Sequence, residues 1–412
     1  MKNSIYMPAL LVLILLNGCS PNPSPDLQIG KWRGVFGYLG TEIPFNFSVE
    51  DDTAGNVKVL LTNADERFQL DSVRYERDSV IIPIDVYDAL LIAKVNKDSL
   101  HGYFRKNQSA KQGIPFKAAR NQTFRFGKEE NNSTSQIKSS GTWSVFINGE
   151  KGQRYTVGKF HQTGTKVTGT FLTITGDYRY FEGTVEGDSL KVSAFSGSNP
   201  TLFKARFSDS LHLEGVYLSF SGKSKVMAIK NDTAKLPDPY KLTYLKKGFD
   251  KLEFSFPDLS GKTVSLTDLK FRGKVVIVTI QGSWCPNCLD EAAFLSPWYK
   301  QNKERGVEII GLSFERKDDL AFARQRIEKF IKRFDIQYYV LFAGLSDKAE
   351  ASKKLPALNA VLAFPTTIIL DRSGKVWKIH TGFSGPATGA PYEEFIQEFK
   401  ADVDAALSKT KI

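Results

Sequence analysis

Between residue 30 and about residue 231 the chain alternates apolar and polar positions in short runs. Phe45-Asn46-Phe47-Ser48-Val49 and Thr168-Gly169-Thr170-Phe171 are typical. Such runs, with turn-forming residues about every eight to twelve positions, predict antiparallel β structure, a barrel or a sandwich. The pattern occurs twice. Gly30-Lys31-Trp32-Arg33-Gly34-Val35-Phe36 opens one half and Gly141-Thr142-Trp143-Ser144-Val145-Phe146 the other. Near their ends, Asp98-Ser99-Leu100-His101-Gly102-Tyr103 is echoed by Asp209-Ser210-Leu211-His212-Leu213-Glu214-Gly215-Val216-Tyr217. Asp followed by Ser and an apolar residue recurs throughout this region, as at 78–80 and 188–190, and reads as a turn feeding a strand.

After about residue 235 the period changes. Lys274-Val275-Val276-Ile277-Val278-Thr279-Ile280 is a continuous β-branched run, the signature of a strand buried on both faces. A helix is expected from Pro286 to about Glu304, then a strand at Val307-Glu308-Ile309-Ile310-Gly311-Leu312. Leu320, Ala323, Ile327, Phe330, Ile331 and Phe334 recur at helical spacing, so the basic cluster Arg324 to Arg333 reads as that helix's solvated face. Thr366 to Leu370 and Val376 to Ile379 flank a turn at 371–374, and Tyr392 to Ala406 closes the chain as a helix. Alternation of this kind specifies an α/β domain. The fold expected is multidomain: an N-terminal all-β region, a duplicated antiparallel barrel or sandwich, followed by a C-terminal α/β domain.

The first 25 residues belong to neither. Lys2 followed by the apolar run Met7 to Leu16 is too short to span a bilayer, which takes about 20 apolar residues, and reads as an export signal. Leu16-Asn17-Gly18-Cys19 resembles the bacterial lipobox, which implies cleavage before Cys19 and its diacylation. Ser20-Pro21-Asn22-Pro23-Ser24-Pro25 then forms a semi-extended tether. The expected division is a lipoprotein signal peptide over 1–18, a Pro/Ser tether over 19–29, β repeats over 30–126 and 141–235, linkers over 127–140 and 236–249, and the α/β domain over 250–412. Everything after Cys19 is then extracytoplasmic and held at a lipid bilayer, with the outer membrane slightly favoured by Ser20. Net charge is +11, but bases and acids are interspersed, and no basic-aromatic groove signals nucleic acid as a partner.

The chain has three cysteines, and with Cys19 assigned to lipid only Cys285 and Cys288 are left, in Trp284-Cys285-Pro286-Asn287-Cys288. Cys285 ends the loop after the buried strand, and Pro286 has the backbone angle of a first helical residue. The positive helix end then favours thiolate at Cys285, and Cys288, three residues on, faces the same way. The pair reads as a redox-active dithiol. Zinc would need two further ligands, which the four scattered histidines and no other cysteine do not supply, so neither metal nor cofactor is expected.

Residues 250–412 resemble the thioredoxin superfamily, specifically its membrane-tethered thiol–disulfide oxidoreductases of the TlpA/ResA type. The matching residues are Gly282-Ser283-Trp284-Cys285-Pro286-Asn287-Cys288, Glu291, Phe364-Pro365-Thr366, and Asp371 to Gly374. The resemblance implies a thioredoxin-like fold. It implies Cys285 as nucleophile, Cys288 as resolving thiol, Pro365 as a cis-proline positioning substrate, and Glu291 as an acid that tunes the pair or moves protons. Trp284, Pro286 and Thr366 support the site. It also implies disulfide-bearing envelope proteins as clients and a membrane electron donor for re-reduction. Thr279 stands where thioredoxin has a buried aspartate, which removes that proton route, and Ala293 replaces a helix proline common in the family. Two alternatives stay open. A thiol peroxidase shares the fold, although its motif asks for Thr or Ser three residues before the reactive cysteine, and Gly282 is there. The other is a lipoprotein whose β region binds an apolar ligand or a partner, with the redox domain as an accessory.

Overall fold

The computed structural model describes residues 26–51, 56–70, 73–106, 112–127, 138–150 and 152–409. The leader, Cys19 and most of the tether lie outside these. No helix among the described residues is long and apolar enough to cross a membrane.

The β region consists of two separate nine-stranded antiparallel sheets. The first is open. From edge to edge it runs Glu66–Gln69, Val57–Asn63, Thr41–Asp51, Gly30–Tyr38, Ile114–Arg120, Ser99–Arg105, Ala89–Asn96, Ser79–Ile84 and Arg74–Glu76. The second is closed: Gly152–Thr163 pairs with Gly141–Gly149 on one side and Lys166–Thr173 on the other. Alternation sets the inside of each. Phe45, Phe47 and Val49 point into the open sheet's core, and Val167 and Phe171 into the barrel's, while Asn46, Ser48, Lys166 and Thr168 between or beside them are exposed or only partly covered.

Matched details support the duplication. Trp32 and Trp143 are both fully buried, and each indole N–H donates at 2.9 Å to the carbonyl four residues earlier, Gln28 and Ser139. Gly102 and Gly215 are forced by the same close approach. A β-carbon would lie 1.9 Å from the Ile92 carbonyl oxygen in one half and 2.1 Å from that of Lys204 in the other. Three of the Asp-Ser triplets feed strands directly, since Ser79, Ser99 and Ser189 each begin one, and after Asp209-Ser210-Leu211 the strand begins at His212.

The C-terminal domain has a five-stranded mixed sheet in the order Tyr339–Leu345, Val307–Glu315, Val275–Gln281, Thr366–Leu370, Val376–Thr381. All seven residues of the central strand Val275–Gln281 are buried, as its apolar run predicts. Helices α1 (Pro286–Asn302), α2 (Leu320–Phe334) and α4 (Ala390–Ser408) share a core with Val275 and Ile277. The short α3 (Lys348–Lys354) and the hairpin Ser255–Pro257/Thr263–Ser265 pack with Val276 and Val278 on the opposite face. The fold is a thioredoxin-like α/β domain behind an all-β region.

One expectation needs correction. The basic helix α2 is only partly solvated. Arg326 pairs with Asp88 of the open sheet's short helical turn, Lys329 with Asp85 at 2.7 Å, and Arg333 donates to the Gln69 carbonyl at 3.0 Å. Helical spacing shows which face is polar. It does not show that a second domain supplies the counter-charges.

Candidate active site

Cys285 is the N-cap of α1, with extended backbone (φ −95°, ψ 119°), and Pro286 occupies the first turn. Its Sγ accepts a hydrogen bond from the Cys288 amide at 3.4 Å and lies 3.1 Å from the Phe364 carbonyl oxygen. An N-cap sulfur in this position faces the unsatisfied amides of the helix, which stabilise negative charge. Both thiols are free and buried. Cys288 is wholly enclosed, and burial together with the adjacent Cys285 sulfur pushes its pKa well above the ordinary thiol range. The two sulfurs thus differ in setting, Cys285 Sγ capping the helix and Cys288 fully enclosed in its first turn.

The Phe364–Pro365 bond is cis. Pro365 is buried, and its carbonyl accepts from the Gly382 amide at 2.9 Å, so the backbone acceptor beside Cys285 belongs to Phe364. Thr366 turns its hydroxyl back onto the Ala363 carbonyl at 2.9 Å and steadies this loop. Trp284 packs edge-on against Phe364, with ring centroids 5.7 Å apart, and its indole N–H donates to the Phe314 carbonyl at 2.8 Å. A β-carbon at Gly282 would lie 2.4 Å from that indole nitrogen and 2.8 Å from the Phe314 oxygen. The hydroxyl residue of the peroxidase motif has no room there.

Glu291 is not a solvated first-turn carboxylate. It is 1% exposed, and its two oxygens accept from the hydroxyls of Thr279 and Thr367. Thr279, at the place of thioredoxin's aspartate, thus donates to an acid that enters the same layer from the helix. Burial raises Glu291 to about 7, against the lowering effect of the two hydroxyls.

Three groups essential to this geometry were not singled out by the sequence. Glu315, at the end of Val307–Glu315, accepts from the Ser283 amide at 3.0 Å and from the hydroxyls of Ser283 at 2.9 Å and Ser313 at 2.7 Å. It anchors the loop that carries Trp284 and Cys285. Asp177 and Arg179 come from the closed barrel and reach the Pro286-Asn287 dipeptide itself. The Asn287 amide donates to the Asp177 carbonyl at 3.2 Å, the Asp177 carboxylate at 3.1 Å and the Phe383 carbonyl at 3.0 Å. Alternating hydropathy in a strand region carries no signal for such a contact. The nearest clue was Asp290, an acid next to the dithiol with no base of its own nearby in sequence.

A family model described as the AhpC/TSA family matches residues 250–379. The thiol-disulfide oxidoreductase ResA of Bacillus thuringiensis subsp. konkukian is 28% identical over 151 residues, which cover 37% of this chain and 77% of that protein. ResA of Bacillus anthracis is 34% identical over 129 residues, 31% of this chain and 66% of that protein. Among solved structures, a putative thiol:disulfide interchange protein DsbE from Chlorobium tepidum covers 39% of this chain and 99% of its own, at 24% identity and a TM-score of 0.30. A thiol-disulfide oxidoreductase from Bacteroides fragilis covers 36% and 99%, at 25% identity and a TM-score of 0.27. None of these matches covers more than two fifths of the chain. Residues 250–379 thus match the AhpC/TSA family model, and ResA-type thiol–disulfide oxidoreductases are among the proteins this chain resembles.

Proposed function

We propose that the protein is a lipid-anchored thiol–disulfide oxidoreductase of the bacterial cell envelope, acting on disulfides of envelope proteins through Cys285 and Cys288. One observation carries the reading. An N-cap cysteine hydrogen-bonded by the amide of a second, buried cysteine has a carboxyl group enclosed one turn behind it. The Cys285 thiolate attacks a client disulfide. The client S–S bond breaks, a Cys285–client bond forms, and one client sulfur leaves as a thiolate that solvent protonates. The Cys288 thiol gives its proton to Glu291 and attacks Cys285 Sγ, so the second client sulfur departs as a thiolate and Cys285–Cys288 closes as a disulfide. Two electrons from a membrane donor then restore the dithiol. Lipid attachment at Cys19 keeps the protein at the membrane where that donor sits.

The peroxidase alternative loses support from the closed space at Gly282. The ligand-carrier alternative loses support from the barrel interior, where Phe171 lies within 5.5 Å of Phe160 and within 5.2 Å of Phe181, centroid to centroid.

The test is trapping. Cys288→Ser should accumulate mixed disulfides with envelope proteins, and Cys285→Ser should accumulate none. An absence of trapped client in Cys288→Ser would overturn the reading, and peroxide consumption dependent on Cys285 would replace it. Glu291 predicts the pH profile. Its folded pKa of about 7 lies above the ordinary 4.5, so it accepts the Cys288 proton only as pH rises through about 7. Turnover limited by resolution should rise across that range, and Glu291→Gln should flatten the rise. Linkage has the same window. A raised carboxyl pKa costs the fold nothing below about 4.5 and its full penalty above about 7. The wild type should therefore lose stability relative to Glu291→Gln between pH 5 and pH 8, by at most about 3 kcal/mol, in urea titrations.

A further inference from the structure

The Pro286-Asn287 dipeptide between the cysteines is held by another domain. Arg179 of the closed barrel donates from Nη1 to the Pro286 carbonyl at 3.2 Å and to the Asp290 carboxylate at 2.8 Å. Its Nε and Nη2 donate to Glu66 of the open sheet at 2.7 and 2.6 Å. The three side chains are 12%, 14% and 4% exposed for Arg179, Asp290 and Glu66, so this cluster joins all three domains in a medium where charge is weakly screened. Glu66 is further held by Ser196 at 2.6 Å and Asn63 at 2.8 Å. Asp177, two residues before Arg179, accepts from the Gly385 amide at 2.7 Å, the Arg179 amide at 2.8 Å and the Asn287 side chain at 3.1 Å.

The contact is built at a conformational cost. Arg179 has φ 60°, a left-handed backbone that costs a non-glycine residue about 1–2 kcal/mol. Gly176 and Gly382 also have positive φ, and both are needed for close approach. A β-carbon at Gly176 would lie 2.3 Å from Asn287 Nδ2, and one at Gly382 would lie 2.9 Å from the Thr175 carbonyl carbon. A turn that only ended a barrel strand would need none of this.

We infer that Asp177 and Arg179 are positioning residues for the dithiol, through which the closed barrel sets the reduction potential of the Cys285–Cys288 couple. The inference rests on the oxidoreductase reading above. The dipeptide's side chain and carbonyl are both clamped, so the first turn of α1 cannot shift freely when Cys285 turns to meet Cys288. The guanidinium also places positive charge at the helix start, where thiolate forms. It offsets the carboxylates of Glu66 and Asp290, which otherwise oppose that thiolate. Stabilising the thiolate stabilises the reduced form, so the barrel makes the couple more oxidising than the redox domain's own residues would.

The experiment is a glutathione redox titration of the full-length protein and three variants, with thermal melts on the same samples. Arg179→Met should shift the equilibrium constant towards a more reducing couple by about tenfold, or about 30 mV. Arg179→Lys should recover part of that shift by restoring the charge without the fork. Gly176→Ala removes no charged group but pushes the barrel turn off Asn287, and should shift the couple in the same direction by a smaller factor. Potentials within twofold of wild type in the variants that melt cooperatively would overturn the inference and leave these residues a purely structural role. Should Arg179→Met not fold, Gly176→Ala and Arg179→Lys decide between the same two outcomes. Failure of the wild type to form any Cys285–Cys288 disulfide across the titration would instead overturn the oxidoreductase reading.

Discussion

The two β halves share a pattern and differ in closure, and the difference shows how a sheet becomes a connector. Both carry the buried tryptophan bonded to the carbonyl four residues back, and both carry the glycine pressed against a neighbouring backbone. The second half closes on itself through the long strands Gly152–Thr163 and Lys166–Thr173, and its core is its own. The first half ends in the short edge strands Glu66–Gln69 and Arg74–Glu76 and stays open. Its missing wall comes from elsewhere. Phe195 of the barrel inserts between Phe36, Phe45 and Phe104, with ring centroids 4.8, 5.1 and 5.3 Å away, and Asn63 bonds both the amide and the carbonyl of Phe195. Helix α2 of the redox domain meets the same half through Asp85 and Asp88. A sheet that does not satisfy itself has an apolar surface that must be covered, and here that need joins three domains.

The comparison can be broken most directly at Phe195. Phe195→Ala should cost about 3–5 kcal/mol, because the ring is fully buried and its removal leaves a cavity that both partners line. Limited proteolysis should then cut first in the open sheet. Phe171→Ala in the closed barrel should cost a similar amount yet leave the open sheet protected. Equal protection of the open sheet in both variants would mean that it does not depend on the barrel's plug.

Smaller effects sharpen the contrast. Alanine at Gly215 and at Gly102 makes nearly the same backbone clash, but a closed ring cannot part its strands to relieve it. Gly215→Ala should cost about 1–3 kcal/mol by denaturant titration, and Gly102→Ala measurably less. Equal losses would show that closure does not stiffen the barrel. Asp88→Ala removes one side of the Arg326 pair at the α2 contact, where the side chains are 15% and 16% exposed, and should cost about 1–2 kcal/mol. The exposed Arg206–Asp188 pair on the closed barrel is the control, and Arg206→Ala should stay within about 0.5 kcal/mol of wild type.

Local pattern determined much of this protein. Period-two alternation marked the strands of both halves, a run of β-branched residues marked the central strand, and Cys285-Pro286 marked the start of α1 with the second thiol one turn on. These features depend on residues within a few positions of each other, where backbone geometry alone relates spacing to facing. Glu291 lay at the limit of that logic. Its place on the helix was legible from spacing, but its burial between Thr279 and Thr367 joins positions 12 and 76 residues away. Only the tertiary structure decided that one β half closes and the other borrows its wall, that α2's bases face acids of another domain, and that Asp177 and Arg179 clamp the dipeptide between the cysteines. Apart from the barrel's own closure, those outcomes turn on contacts between residues more than a hundred positions apart, which hydropathy and spacing do not encode.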